Sequence, residues 1–242
     1  MAVAARVRSL LASERVSRSV ATLYGGNVPS RVGRIDIRSP AVGKATAAEL
    51  IFRLYERHEL ALIRRTLRPG LDVVELGAGI GVTGALLVKR LAAGRQLVLV
   101  EANQDLIPTL KENLRRQNSG AKVSVVHAAV AYEGSSIAFH QAADHIRSRV
   151  GSIDVATDVV PAISLDAIVR EHQLDRFVLV ADIEGAEKRL LANEAEVLGA
   201  CEQIIAELHG TDAEIATMVC QLADLGLRVV ERRKASFSFA RS

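Results

Sequence analysis

Aromatic residues and cysteine are scarce in this chain. It has no tryptophan, and phenylalanine and tyrosine make up only 3% of its 242 residues, so a surface that stacks many bases of a single-stranded nucleic acid is not expected. Its two cysteines, Cys201 and Cys220, are too few for a disulfide framework and lie outside the spacing of common metal sites. No run of about 18 uncharged apolar residues is present, so the sequence predicts no membrane span and favours a cytoplasmic protein.

An excess of one charge is also lacking, because 31 basic residues face 28 acidic ones and the formal net charge is +3. Such a balance argues against a nucleic-acid partner. The basic excess is local, since the first forty positions contain the arginines at 6, 8, 15, 18, 31, 34 and 38. For residues 1–20, an amphipathic helix of the mature protein is favoured over the alternative of an organellar transit peptide.

From residue 71 onward, segments with strand character alternate with segments of helical period, which predicts an α/β domain with a parallel sheet. Strands are expected at 71–76, 96–101, 122–126, 177–181 and 203–207, followed by an antiparallel hairpin at 228–232 and 236–240. Helices are expected at 82–93, 105–117, 164–171, 186–191 and 213–225, and a covering helix at 46–67. Residues 131–160 read as an irregular or hairpin insertion in a domain that spans 46–242, and residues 1–45 as a prefix with a helix and a short strand at 31–37.

The most informative segment is the apolar strand that ends in Gly77-Ala78-Gly79-Ile80-Gly81. A tight turn from strand to helix needs positive φ, and glycine lets backbone amides approach a ligand that a Cβ would displace. This pattern predicts a site for an adenosine-containing cofactor at the turn.

Three acidic residues, Glu75, Glu101 and Asp182, fall at or near the carboxyl ends of predicted strands, the edge where open α/β sheets bind ligands. Glu101 is spaced to accept hydrogen bonds from the two hydroxyls of a ribose. Glu75 is poorly placed beside a pyrophosphate but well placed near a cation, which favours S-adenosylmethionine over a dinucleotide. An NAD(P)-dependent oxidoreductase and a non-catalytic S-adenosylmethionine-binding protein are the alternatives.

Five segments together resemble the FkbM-type family of S-adenosylmethionine-dependent methyltransferases. They are residues 75–81, 100–103, 163–168, 182–187 and 207–209. The resemblance implies a Rossmann-like three-layer sandwich with a mostly parallel seven-stranded sheet whose last strand is antiparallel. It also implies O-methylation of a hydroxyl on a sugar, polyketide or related metabolite, and therefore a small-molecule or glycan acceptor.

The same resemblance implies roles for individual residues. The turn with Gly77, Ala78, Gly79 and Gly81 would hold the methionine part of the cofactor, and Asp182 would stand at the methyl-transfer site. The cofactor's nucleoside half would contact Glu101, Ala102, His127, Ala128 and Ala129.

The candidates for a catalytic base are Asp182, Glu184 and His209, because they follow the fourth and fifth strands of the predicted sheet. The three could instead hold a divalent metal ion, which is possible but not favoured. Methylation of a nucleobase is not expected, since the fourth strand ends without the Asn/Asp-Pro-Pro-aromatic turn that cups a flipped base.

Overall fold

The computed structural model describes residues 13–43, 45–117, 120–132, 134, 136–140, 149–150 and 157–241. Its helices are α1 Glu14–Leu23, α2 Thr46–Ile51, α3 Arg57–Thr66, α4 Val82–Arg90, α5 Ile107–Arg115, α6 Leu165–Glu171, α7 Glu187–Asn193 and α8 Asp212–Asp224. Its strands are β1 Asn27–Ser30, β2 Gly33–Asp36, β3 Asp72–Leu76, β4 Gln96–Glu101, β5 Lys122–His127, β6 Ala129–Val130, β7 Ser136–His140, β8 Arg149–Val150, β9 Thr157–Ile163, β10 Phe177–Ala181, β11 Cys201–Glu207, β12 Arg228–Arg233 and β13 Ser236–Ala240.

Seven strands form the central sheet in the order β12-β13-β11-β10-β3-β4-β5. The pairs within β11-β10-β3-β4-β5 are parallel, while β13 runs antiparallel to both β11 and β12. The predicted Rossmann-like α/β fold, with a mostly parallel seven-stranded sheet and an antiparallel last strand, is confirmed. The strand order reverses between β3 and β10, so the carboxyl ends of these two strands form the crevice where such sheets bind ligands.

Helices cover both faces of the sheet because neighbouring strand residues point in opposite directions. Val73 belongs to a core with residues of α3, α4 and α5, whereas Val74 belongs to a second core with residues of α6, α7 and α8. Burial on both faces explains why β10 is apolar throughout, with all five residues buried.

The single covering helix predicted at 46–67 is wrong, because the chain turns between α2 and α3. Arg53 and Glu56 have positive φ angles of 59° and 41°, and the Leu54 amide donates to the Glu49 carbonyl instead of continuing the helical pattern. Both flanking helices reach the same core, through Leu50 and Leu60. Helical spacing alone could not reveal this turn, because apolar residues occur on both sides of it.

Smaller elements lie outside the central sheet. β1 and β2 form an antiparallel hairpin, which Asn113 of α5 ties down by accepting from the Asp36 amide and donating to the Asp36 carbonyl. In the described part of residues 131–160, β7 pairs antiparallel with β8 and with β9. Of the helix predicted for residues 1–20, residues 1–12 lie outside the described residues, and α1 begins at Glu14 and extends to Leu23. Within the described ranges, no helix is long and apolar enough to cross a bilayer.

Candidate active site

The site lies where β3 and β10 end side by side. The Asp182 amide donates to the Leu76 carbonyl at 3.0 Å, which extends the pairing of the two strands by one residue. Gly77, with φ of 83°, passes so close that a Cβ there would lie 2.0 Å from the Asp182 carbonyl oxygen. Only glycine fits this position, and the contact holds the glycine turn against Asp182.

The glycine turn folds back over β4. The amides of Gly77 and Ala78 both donate to the Val100 carbonyl, at 3.0 and 3.1 Å. Gly79 and Gly81 have φ angles of 53° and 81°, and Gly81 leads directly into α4. The turn therefore forms a compact cradle at a helix N-terminus, with Gly77 exposed at the sheet edge.

Glu101 closes the cradle from β4. Its Oε2 accepts from the Gly79 amide and its Oε1 from the Asn103 amide, both at 2.7 Å. The side chain is buried, and burial raises its pKa although these amides and nearby His127 oppose the shift. Each carboxylate oxygen has a further lone pair, so Glu101 is able to accept hydrogen bonds from a ligand while it fixes the turn.

The segment predicted to flank adenine lies beside Glu101. The Ala128 amide donates to the Glu101 carbonyl at 3.1 Å, and His127 Nε2 lies 3.1 Å from the Ala102 carbonyl oxygen. Ala129 is buried at the start of β6. The four residues thus border the turn on the side away from Asp182, and their contact with adenine stays a prediction.

Glu75 does not point out of the sheet edge but into the layer that holds α3 and α4. It is 2% exposed, and its Oε2 has no hydrogen-bond partner among the described residues. Burial raises its pKa well above the ordinary value, and a hydrogen bond from the Gly84 amide opposes this shift only in part. A buried carboxylate is expensive unless a positive charge lies beside it, so burial keeps Glu75 protonated in the absence of a cation.

Two acidic residues that sequence reasoning missed stand next to Glu75. Thr83 of α4 donates its hydroxyl to Glu56 Oε2 at 2.7 Å, and Glu59 Oε2 lies 3.3 Å from the same hydroxyl. A hint in the sequence is their spacing of three residues, which puts them on one side of a helix. Their approach to Thr83 depends on the turn between α2 and α3.

The three predicted catalytic residues come together beyond the ends of β10 and β11. His209 Nε2 lies 3.7 Å from Glu184 Oε2 and 3.9 Å from Asp182 Oδ1, and His209 Nδ1 lies 3.0 Å from Glu187 Oε1. The first two distances exceed a hydrogen bond, whereas the third is one. Glu187, which is 3% exposed at its side chain, therefore orients the imidazole so that Nε2 faces the two carboxylates.

Burial and charge set the protonation of this group. The hydrogen bond to Glu187 raises the pKa of His209 to about 9 against the opposing effect of burial. Burial, followed by the negative charges of Glu207 and Glu184, raises the pKa of Asp182 to about 7. Near neutral pH, His209 is an imidazolium and Asp182 exchanges its proton readily, so Asp182 is the better base.

Asp182, Glu184 and His209 each offer one possible metal ligand atom, all within 4.8 Å of one another. This spacing would suit one divalent ion, but no comparison with known proteins supports a metal here.

The residues fit S-adenosylmethionine in two respects. Its adenosine and amino acid would meet the glycine turn, where Gly77 is exposed and Gly79 is half-buried beside Glu101. Its cationic centres would meet buried carboxyl oxygens that have no hydrogen-bond partner among the described residues, Glu75 Oε2 and Asp182 Oδ1. Fold and site together define the class of Rossmann-like α/β proteins with a ligand crevice at the carboxyl ends of the parallel strands.

The family follows from a sequence comparison. The model of the ribosomal RNA adenine dimethylase family matches residues 59–183, from α3 to the end of β10. The chain belongs to this family, whose members are S-adenosylmethionine-dependent methyltransferases. No curated protein matches the chain in a sequence search.

Solved structures with a similar fold share little sequence with the chain. A protein of the NADB-Rossmann superfamily from Streptococcus agalactiae is 10% identical with a TM-score of 0.46, and the match covers 75% of this chain and 65% of that one. A putative RNA methyltransferase from Pyrococcus horikoshii is 14% identical with a TM-score of 0.43, over 93% and 96%. Fibrillarin of Aeropyrum pernix, with natively bound S-adenosyl-L-methionine, is 12% identical with a TM-score of 0.44, over 75% and 73%. The chain therefore spans slightly less than two thirds of the Streptococcus protein.

The assignment to the FkbM-type family is wrong, because the family model that matches is the adenine dimethylase model. The segments at 75–81 and 100–103 occur throughout class I methyltransferases and do not discriminate between families.

The expectation of a small-molecule or glycan acceptor and no nucleic acid is also wrong, since the family points to a nucleic-acid substrate. The net charge of +3 was averaged over the chain and could not exclude a nucleic-acid partner.

Proposed function

We propose that the protein transfers the methyl group of S-adenosylmethionine to RNA. The observation that carries this proposal is the family match over residues 59–183, which contain the glycine turn, Glu101 and Asp182. The turn would hold the amino acid part of the cofactor and Glu101 its ribose. When bound, the cofactor supplies an electrophilic methyl group on a sulfonium.

The chain's own residues mainly have to align and deprotonate the acceptor. Methyl transfer is an in-line displacement, so most of the acceleration comes from holding the two partners at attack distance. Asp182 is fixed against Gly77 by backbone contacts, which keeps its carboxylate beside the cofactor cradle. It would accept the proton that the acceptor loses, while the His209 imidazolium beside it stabilises the carboxylate form.

A cluster of arginines supports an RNA partner. The Arg64 side chain donates to the Arg31 carbonyl at 2.8 Å, and the Arg90 side chain donates to the Arg64 carbonyl at 2.6 Å. Burial and the positive charges of Arg31, Arg90 and Arg53 lower the pKa of Arg64. We call Arg31, Arg53, Arg64 and Arg90 the arginine cluster; no ion pair with a carboxylate involves them in the described ranges. Guanidinium groups at this density that have no carboxylate partner among the described residues favour contact with a phosphate backbone.

Two acceptor atoms are compatible with these observations. Family membership favours the exocyclic amine of adenine. The residues after β10, Asp182-Ile183-Glu184-Gly185, lack the proline and aromatic side chains that cup a flipped base. The absence of these side chains and the presence of the base Asp182 favour a ribose hydroxyl of RNA as the second candidate. A hydroxyl needs deprotonation more than an amine does.

The test is to incubate the protein with ribosomal RNA and S-adenosylmethionine carrying a labelled methyl group, then to digest the RNA and identify the labelled nucleosides by mass spectrometry. Label in N6-methylated adenosine supports the first candidate, and label in 2′-O-methylated nucleosides supports the second. The variant Asp182→Asn should lower the label in either product. RNA that stays unlabelled, with protein that binds the cofactor, would contradict the proposed substrate.

A further inference from the structure

The hairpin between β12 and β13 turns at the same edge of the sheet as the candidate catalytic residues. The first residue of β13 pairs with Glu207 at the end of β11, and the Leu208 amide donates to the Ala235 carbonyl at 2.9 Å. We call residues 232–235 the hairpin tip. These contacts fix the hairpin tip to the segment that carries His209.

The hairpin tip also lies close to the proposed base, Asp182. This residue directly follows β10, which pairs with β11, and β11 pairs in turn with β13. Neighbouring strands lie about 4.8 Å apart, so two spacings separate the tip from Asp182 by roughly 10 Å. Because the phosphates of a nucleic acid strand follow one another every few ångströms, the tip is within reach of those that flank an acceptor nucleotide at Asp182.

Two cationic side chains of the hairpin tip have no carboxylate partner among the described residues. The Arg232 guanidinium lies over the Phe237 ring, 4.7 Å from its centroid, and donates to the Lys234 carbonyl at 2.8 Å. Lys234 is exposed at the turn, whereas Arg233 is paired with Glu231. The tip therefore presents a guanidinium that is held in place by a ring, and an ammonium group beside it.

The immediate surroundings of Asp182 would repel a phosphate backbone, since Glu184 and Glu207 add negative charge there. The arginine cluster is too far away to offset this charge. Its member Arg90 is the last residue of α4, about 12 Å along the helix from the glycine turn. Cations at the catalytic edge itself are therefore needed to hold RNA beside Asp182.

We propose that the hairpin tip binds the phosphate backbone of the RNA acceptor, with Arg232 and Lys234 on the phosphates next to the methylated nucleotide. This inference rests on the proposed methylation of RNA. A guanidinium binds phosphate through paired N–H donors, and an ammonium group binds it as a point charge. Because Arg232 is already ordered on Phe237, it loses less side-chain freedom on binding.

The experiment measures the affinity for ribosomal RNA by filter binding over a range of salt concentrations. Arg232→Gln and Lys234→Gly should each weaken binding at low salt by about three- to tenfold and reduce the slope of log K against log salt by roughly one. Glycine readily adopts the φ of 60° found at Lys234, so the second variant keeps the fold of the turn. Arg228→Gln alters an exposed arginine at the opposite end of β12 and is the matched control, which should change neither quantity.

A second readout separates RNA binding from the transfer step. In both tip variants the loss should appear as a raised KM for RNA, with the affinity for S-adenosylhomocysteine unchanged. Equal effects in Arg228→Gln, unchanged RNA affinity in both tip variants, or a fall in kcat alone would overturn the inference and leave the proposed function standing. Wild-type protein that binds S-adenosylhomocysteine but neither binds nor methylates ribosomal RNA would overturn the proposed function, and this inference with it.

Discussion

Gly77 and Asp182 are held together by backbone, since a Cβ on Gly77 would lie 2.0 Å from the Asp182 carbonyl oxygen. Gly77→Ala should therefore lower the free energy of unfolding by more than the roughly 1 kcal/mol expected for alanine at positive φ. Gly94→Ala is the matched control, because Gly94 has nearly the same φ with nothing within 4 Å of its Cβ position. Urea unfolding measures both. If the two variants are destabilised equally, the methyl group added at Gly77 does not clash with the Asp182 backbone.

Glu101 should be required for cofactor affinity. Its carboxylate holds the Gly79 amide at 2.7 Å and has lone pairs left for the ribose. Glu101→Ala should weaken S-adenosylhomocysteine binding by more than about 1 kcal/mol, because charge-assisted hydrogen bonds are lost. Calorimetry with Glu171→Ala as the control checks this. Unchanged affinity would remove Glu101 from the cofactor site.

Asp182 should act in the transfer step rather than in cofactor binding. Asp182→Asn keeps the shape of the side chain but removes the base, so turnover on RNA should fall by about 100-fold while the affinity for S-adenosylhomocysteine changes little. Rate and affinity are measured on the same preparation. A parallel loss of both would make Asp182 a cofactor-binding residue.

The arginine cluster should govern RNA affinity and its dependence on salt. Arg53→Glu and Arg31→Glu should each weaken RNA binding at low salt and reduce the slope of log K against log salt by roughly one. Arg170→Glu alters an exposed arginine of α6 and is the control for total charge. Filter binding over a range of salt concentrations gives the slopes. If all three variants behave alike, the cluster is not an RNA contact.

The buried acids Glu56, Glu59 and Glu75 should make the cofactor-free protein less stable as pH rises. The folded-state pKa values of Glu56, Glu59 and Glu75 are raised, and that of Glu56 is about 8. The stability they contribute is thus present below the unfolded pKa near 4.5 and is lost as pH rises through the folded values. The melting temperature should fall by several degrees from about pH 5.5 to about pH 8.5, and by less in Glu59→Gln. A profile that is identical in the variant would contradict the raised pKa of Glu59.

Much of the sheet could be predicted from sequence, and the site only in part. The segments predicted at 177–181 and 236–240 coincide with β10 and β13, because β10 is a continuous apolar run and β13 alternates serine with phenylalanine. Glu56 was not found, because its contact with Thr83 joins residues 27 positions apart through a turn that has no glycine or proline. The arginine cluster was hidden for a similar reason, since Arg31 and Arg64 meet only after folding.

The central claim is that the glycine turn and Glu101 hold S-adenosylmethionine. Calorimetric titration of the wild-type protein with S-adenosylmethionine, S-adenosylhomocysteine and NAD, before any acceptor is added, tests it most directly. We predict one-to-one binding of the first two ligands, weakened in Glu101→Ala, and no binding of NAD. Binding of NAD alone would contradict the account.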